Sequence, residues 1–169
     1  MRAEEQEYVE YVTARLPALR RLAFLLCGDE HHADDLVQQT ITTLYLRWNK
    51  IRTVNHLDKY VRTMLTHTFI NERRRPWARV RLFRETPERG THGETGIEER
   101  AVVRAALAKV PRRQQAVLVL RFLCDLSVAD VAEVLGCSQG TVKSQTSHGL
   151  AALRRLLGEP ALARSGKEH

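Results

Sequence analysis

Apolar residues recur at spacings of three and four along nearly the whole chain, which is the period of amphipathic helices. The clearest stripe covers residues 33–51, and Asp29 before it suits the N-cap of that helix. A stripe that begins at Tyr8 is expected to be interrupted or restarted at Pro17 and to stop at Gly28. The pattern therefore predicts an all-α fold.

A third apolar stripe covers residues 57–69 and follows a short polar stretch. Asn55, with Asp58 three residues later, resembles a cap for this helix. The helix is expected to end near Arg75, because Pro76 disfavours helical backbone at the residue before it.

Two small helical domains joined by a flexible linker are expected. The segment at residues 85–96, ETPERGTHGETG, holds three of the nine glycines and no aliphatic side chain, which is typical of a linker. We assign residues 1–76 to a first domain, 77–96 to the linker and 97–157 to a second domain. The remaining residues, 158–169, are expected to form a disordered tail.

Residues 127–157 predict a helix-turn-helix. Ser127 suits the cap of a short helix that ends at Gly136, where a left-handed backbone costs glycine little. Ser138 then suits the cap of a longer helix. The apolar residues of both helices lie on the sides that would face each other, so the two helices are expected to pack as one unit.

The longer helix of this motif carries polar side chains on its outward face, near the end where a recognition helix meets base edges. These side chains are Gln139, Thr141, Lys143, Ser144, Gln145, Ser147 and His148. No acidic residue occurs from Cys137 to Gly158, whereas an ordinary solvent-facing helix is rich in Glu and Lys. The face therefore favours DNA binding over a plain helical hairpin.

The charge distribution also points to a polyanionic partner. The net charge is +7, and residues 71–84 carry six arginines and one glutamate, while residues 98–157 carry nine basic and five acidic residues. Basic charge concentrated at two places predicts contact with nucleic acid at two places. The chain has no apolar signal region and no apolar run long enough to cross a membrane, so a cytoplasmic protein without direct membrane contact is expected.

Enzyme and metal chemistry find little support in the sequence. The three cysteines lack zinc-type spacing and are expected to be free thiols. The acidic and histidine residues at 31–35 are too close together on one helix to converge on an ion. There is no glycine-rich phosphate loop and no arrangement of a nucleophile and base. We therefore expect no metal, no cofactor and no catalytic residue.

Both halves resemble one known family. The second domain resembles region 4 of bacterial extracytoplasmic-function (ECF) sigma factors over LSVADVAEVLGCSQGTVKSQTSHGLAALR, with VPRRQQAVLVLRFL as its lead-in helix. The first domain resembles region 2 over HHADDLVQQTITTLYLRWNKI, including the DLVQ core. The matches occur in the family's order and cover residues 8–157, and the variant GTVKSQTSHGLAALR most resembles an actinobacterial subgroup.

The resemblance implies a non-enzymatic subunit that directs core RNA polymerase to promoters. The implied partners are promoter DNA and the polymerase, through its β′ clamp and β flap. The clamp would be contacted by Asp35, Leu36, Val37, Gln38 and Gln39. Leu36 and Val37 are expected to point inward, and the family commonly has Glu at the position of Gln39, which puts an ion pair there in doubt.

The resemblance also implies two promoter-binding surfaces. For the −10 element they are Asn55, His56, Lys59, Arg62 and Thr66 near bases, and Asn71, Arg73, Arg74 and Arg75 near phosphates. For the −35 element they are Thr141, Lys143, Ser144, Gln145, Ser147 and His148, with Arg121 and Arg154 near the backbone. Many members have Arg in place of Gln145 and His148, which predicts a different −35 sequence or weaker binding.

Two other interpretations remain open from the sequence. A stand-alone helix-turn-helix regulator explains the second domain but leaves DLVQQ and the basic helix before Pro76 unexplained. An interaction protein captured by an anti-sigma factor is compatible with sigma function, because docking surfaces for the polymerase are available for such capture. Trp48 could stack on a melted base, but its place in the apolar stripe favours core packing.

Overall fold

The computed structural model describes residues 1–72 and 95–158, and within them every regular element is helical. In chain order the elements are α1 (Ala3–Cys27), α2 (Glu30–Ile51), α3 (Leu57–Asn71), α4 (Thr95–Leu107), α5 (Arg112–Leu118), α6 (Val128–Leu135) and α7 (Gln139–Leu157). A π-helical turn, Val119–Leu123, continues α5. The expected all-α fold is confirmed. Arg73 to Arg75, the predicted linker up to residue 94 and the tail from residue 159 lie outside the described residues.

Local signals set most helix ends as predicted. The Asp29 carboxylate accepts hydrogen bonds from the backbone N–H groups of His31 and His32, each at 3.3 Å, and so caps α2. Gly28 ends α1 with φ 73°, and a Cβ there would lie 2.8 Å from Cγ of Arg104. Pro111 precedes α5, where its missing N–H costs nothing.

Three local predictions were wrong. α3 ends at Asn71 and not near Arg75, because the backbone of Glu72 is already extended, with ψ 126°. α1 runs without a break through Pro17, which lies on the exposed side of the helix, so that water can hydrate the Thr13 carbonyl that proline leaves without an N–H donor. Asn55 does not cap α3, because the helix begins one residue later than that cap requires. His56 occupies the N-cap position with a left-handed backbone, φ 61°, and forms no side-chain cap.

The first domain packs α1, α2 and α3 around a buried apolar centre that includes Leu26, Leu36, Leu44 and Leu65. Trp48 is 4% exposed and its ring meets the ring of Tyr8 edge to face at 5.4 Å. The interpretation of Trp48 as a core residue is therefore confirmed, and its ring cannot stack on a base in this conformation.

The second domain packs α4 to α7 around Val117, Leu120, Val131 and Val142, all of which are completely buried. The two domains are also packed against each other, and their buried residues form one continuous cluster. The Gln115 amide, 4% exposed, donates a 2.6 Å hydrogen bond across this contact to the Leu26 carbonyl. Of the described helices, none is long and apolar enough to span a membrane.

Candidate nucleic-acid interface

The helix-turn-helix is held by two serine caps and one glycine turn. The Ser127 hydroxyl accepts a 3.0 Å hydrogen bond from the Asp130 N–H at the start of α6. Gly136 ends α6 with φ 64°, and the Ser138 hydroxyl accepts a 3.1 Å hydrogen bond from the Thr141 N–H at the start of α7. Each of these predicted signals is confirmed, so the recognition helix has a defined starting point.

Packing on the inner side fixes the position of α7. Val142 is completely buried, and about two turns further along the helix Gly149 lies against Leu118 of α5. A Cβ at position 149 would lie 3.0 Å from Cδ1 and 3.1 Å from Cγ of that leucine. Glycine therefore allows α7 to approach α5 more closely than any larger residue would.

The outer side of α7 presents the predicted −35 residues in a single patch. Lys143, Ser144, Ser147 and His148 are exposed at spacings of one, four and five residues, which places them on neighbouring rows of the helix. Thr141 and Gln145 are half-buried at the edge of the patch, and the Thr141 hydroxyl lies 3.0 Å from the Ser138 hydroxyl. Arg154 is exposed two turns further along.

Arg121 has a structural contact at the entrance to this motif. Its Nη1 donates a 2.5 Å hydrogen bond to the Leu126 carbonyl, and its guanidinium lies 5.8 Å from the ring centre of Phe122. Arg121 therefore supports the loop before α6, and its predicted contact with the DNA backbone stays a prediction.

The predicted −10 residues on and before α3 differ in accessibility. Asn55, His56, Lys59 and Asn71 are exposed. Thr66 is completely buried and its hydroxyl donates to the Arg62 carbonyl at 2.9 Å, so direct contact between Thr66 and DNA is excluded in this conformation. Arg73 and Arg74 lie outside the described residues.

A network with α1 anchors the start of α3. The Tyr11 hydroxyl donates a 2.8 Å hydrogen bond to the Asp58 carboxylate, and Arg15 forms a 2.9 Å ion pair with the same carboxylate. Burial raises the pKa of Tyr11, and the hydrogen bond and negative charge of Asp58 raise it further. These contacts hold the helix start beside the exposed residues 55–59.

The predicted polymerase-docking residues divide into two groups. Asp35, Gln38 and Gln39 are exposed on α2. Leu36 and Val37 are 0% and 2% exposed and belong to the core of the first domain. The expected inward orientation of both side chains is therefore confirmed, and the docking of this segment on the polymerase stays a prediction.

A groove of about 530 Å³ between α2 and α3 was missed by the sequence analysis. It lies between the predicted docking residues and the predicted −10 residues, since both Gln39 and Asn71 line it. Its further polar lining includes Thr43, Arg47, Thr63 and His67. The sequence carries a signal for this groove, because polar residues recur every four positions on both helices, at 39, 43 and 47 on α2 and at 63, 67 and 71 on α3.

Two family profiles match the chain in the order predicted. Residues 11–79 match "Sigma-70 region 2", and residues 100–153 match "Sigma-70, region 4". The RNA polymerase sigma-E factor of Streptomyces coelicolor is 34% identical over 161 residues, covering 91% of this chain and 88% of that protein. The ECF RNA polymerase sigma factor EcfG of Rhodopseudomonas palustris is 30% identical over 154 residues, covering 86% and 82%.

The chain belongs to the family of ECF RNA polymerase sigma factors. It is an alternative sigma factor that directs core RNA polymerase to promoters, and its partners are the core enzyme and promoter DNA. The stand-alone regulator is not favoured, because both domain families match in one chain. Sigma factors are not enzymes, which agrees with the expected lack of catalytic function.

Two solved structures share the fold. The sigma factor RpoE in complex with the anti-sigma factor NepR from Bartonella quintana has a TM-score of 0.60 and 24% identity, covering 90% of this chain and 97% of that one. CnrH in complex with the cytosolic domain of CnrY has a TM-score of 0.59 and 21% identity, covering 90% and 88%. These likenesses support the arrangement of region 2 and region 4 helices in this sigma factor.

Proposed function

We propose that this sigma factor reads the −35 element with α7 and the −10 element with α3 and the residues before it. The observation that carries this proposal is the presence of two separate polar or basic helix surfaces in one chain. Lys143, Ser144, Ser147 and His148 would face the major groove, and Arg121 and Arg154 would lie near phosphates. Thr141 and Gln145 would contact bases at the edge of this patch.

The −10 surface is proposed to bind a melted strand. Asn55, His56 and Lys59 are exposed at the start of α3 and would contact bases. Asn71, Arg73 and Arg74 would hold phosphates, which adds affinity without sequence preference. Arg62 and Thr66 would take part only after the side chains that cover them have moved.

Docking on the β′ clamp is proposed to use Asp35, Gln38 and Gln39, because they are the exposed members of the DLVQQ segment. The β flap would contact the second domain. We further propose the domain limits given above, a cytoplasmic location beside the polymerase, and a chain without catalytic activity of its own. An anti-sigma factor is proposed as a further partner, since the sigma factor RpoE from Bartonella quintana, which shares the fold, was solved in complex with the anti-sigma factor NepR.

Reconstitution with core RNA polymerase tests the proposal. The purified chain should bind promoter DNA weakly by itself and should start transcription at a defined promoter once core enzyme is added. Tight, sequence-specific binding by the chain alone, with no effect of the polymerase, would refute the proposal that both DNA surfaces act only together with the core enzyme.

Variants on the two surfaces should differ in their promoter dependence. Lys143→Ala should act mainly through the −35 sequence, at about 1–3 kcal/mol for a lost base contact, whereas Arg73→Ala should weaken all promoters similarly. Run-off transcription from templates that differ only at −35 measures both effects. An equal loss on all templates for Lys143→Ala would contradict the −35 assignment.

A further inference from the structure

The contact between the two domains is polar as well as apolar. Among the described residues, three hydrogen bonds from a side chain to a backbone carbonyl cross it: from Gln115 Nε2 to the Leu26 carbonyl at 2.6 Å, from His67 Nε2 to the Val134 carbonyl at 2.9 Å, and from Arg112 Nη1 to the Phe69 carbonyl at 2.8 Å. Each bond has a side chain on one domain and a backbone carbonyl on the other, so each requires one particular alignment of the domains.

A largely covered ion pair lies in this contact. Glu72, directly after α3, accepts a 3.0 Å bond from Arg112 Nη1 of the second domain and a 2.5 Å bond from His32 Nε2 of its own domain. The side chains of Glu72 and Arg112 are only 16% and 19% exposed. Burial would raise the pKa of the Glu72 carboxyl, but hydrogen bonds and charges from His32 and Arg112 outweigh it and lower that pKa.

This contact lies along α3, which packs against α5 and α6 of the second domain. Arg62, Thr66 and Phe69 follow one another at spacings of four and three residues and so share a face. At one end of it the Arg112 guanidinium lies 5.1 Å from the Phe69 ring centre. At the other end, burial raises the pKa of the Cys124 thiol, and the positive charge of Arg62 lowers it in part. Thr66 between them is completely buried, and Arg62 Nε is buried with no hydrogen-bond acceptor among the described residues.

The recognition helix is not covered in the same way. Lys143, Ser147 and His148 remain exposed on α7 while the two domains are packed together. The conformation described here therefore has an accessible −35 surface and a partly covered −10 surface.

We propose that the second domain is an internal cover for the −10 face of α3, held closed by the Glu72–Arg112 ion pair, and that it must open before the −10 strand can bind. This inference rests on the −10 residues proposed above. The proposal explains why Arg62 Nε has no hydrogen-bond acceptor among the described residues, because a phosphate or a base would supply that acceptor once the domains separate.

Opening can be measured without DNA in the full chain. Cys124 lies beside the covered face, and its reaction with N-ethylmaleimide, followed by mass spectrometry, reports access to it. Glu72→Gln and Arg112→Gln should each raise the labelling rate about tenfold, since either change leaves a largely covered charge without its partner across the contact. Glu99→Gln is the matched control, because it removes the same charge from an exposed position on α4 and should leave the rate unchanged.

Further measurements distinguish separation of the two domains from unfolding of the chain and from additive effects of the two charges. The helical circular dichroism signal should be kept in both variants, while the radius of gyration from X-ray scattering should increase. The double variant should label little faster than either single variant, because both remove the same pair. If both single variants show the labelling rate and the radius of gyration of the wild-type protein, the ion pair is not the contact that holds the domains together.

DNA binding then tests what the cover does. A mixed-sequence single-stranded 20-mer should bind Glu72→Gln and Arg112→Gln several-fold more tightly than Glu99→Gln. If the variants show faster labelling and a larger radius of gyration but no tighter DNA binding, the proposal is wrong. If the tighter DNA binding appears but is kept after a further Arg62→Gln change, the second domain does cover the DNA-binding face, but Arg62 is not part of the −10 surface. The proposed cover and the proposed role of Arg62 are therefore tested separately.

Discussion

Two glycines in the same helix should respond in opposite ways to replacement by alanine. Gly149 lies on the buried side of α7, where a new Cβ would meet Leu118 at 3.0 Å, 3.1 Å and 3.4 Å from Cδ1, Cγ and Cδ2. Leu118 is 3% exposed, so its side chain cannot turn away into solvent. At Gly140 the nearest atom is the Ser138 hydroxyl oxygen at 3.8 Å, which is ordinary contact.

The magnitudes follow from two opposing terms. Alanine is favoured over glycine in a helix by about 1 kcal/mol, and this gain applies to both positions. An extra methyl in a packed core costs about 1–3 kcal/mol when neighbours must shift. Gly140→Ala should therefore stabilise the protein by up to about 1 kcal/mol, and Gly149→Ala should be about 1–3 kcal/mol less stable than Gly140→Ala.

Urea unfolding followed by circular dichroism measures this difference, because both variants share the helix and the added methyl. The midpoints should move in opposite directions from wild type, or Gly149→Ala should at least fall below Gly140→Ala by the stated amount. Equal stabilisation of both variants would refute the close approach of α7 and α5. Transcription should fall with Gly149→Ala, since α7 must shift to admit the methyl.

Three further outcomes are expected from single changes. Gln115→Leu should lower the free energy of unfolding by about 1–3 kcal/mol in urea titrations, because the buried Leu26 carbonyl loses its donor, and a neutral result would contradict that bond. Ser127→Ala should cost about 1 kcal/mol through the lost N-cap of α6, as measured by thermal unfolding, whereas an unchanged stability would argue against the cap. The difference in free energy of unfolding between wild type and Glu72→Gln should be largest near neutral pH and should become smaller as the pH falls below 4.5. The reason is that a carboxyl with a lowered pKa stabilises the fold only while it is ionised. A difference that grows in acid would contradict the lowered pKa of Glu72.

Sequence alone determined the features that depend on neighbouring residues. Asp29, Ser127 and Ser138 cap helices, and Gly28 and Gly136 end them, because each acts on backbone groups within a few residues of itself. The helical periodicity, the helix-turn-helix and the order of the two family motifs were predictable for the same reason. Even here His56 took the position expected for Asn55, since a turn has alternatives that differ by one residue.

Tertiary structure decided the accessibility of the candidate site residues. Thr66 was predicted to contact DNA, yet it is completely buried on α3, which packs against the second domain, and no local pattern indicates that packing. The contacts that hold the domains together join residues 40 to 89 positions apart, such as Glu72 with Arg112 and Gln115 with Leu26. Side-chain periodicity reports which face of a helix is apolar but not which polar face another domain will meet, because that choice depends on the packing of the whole chain.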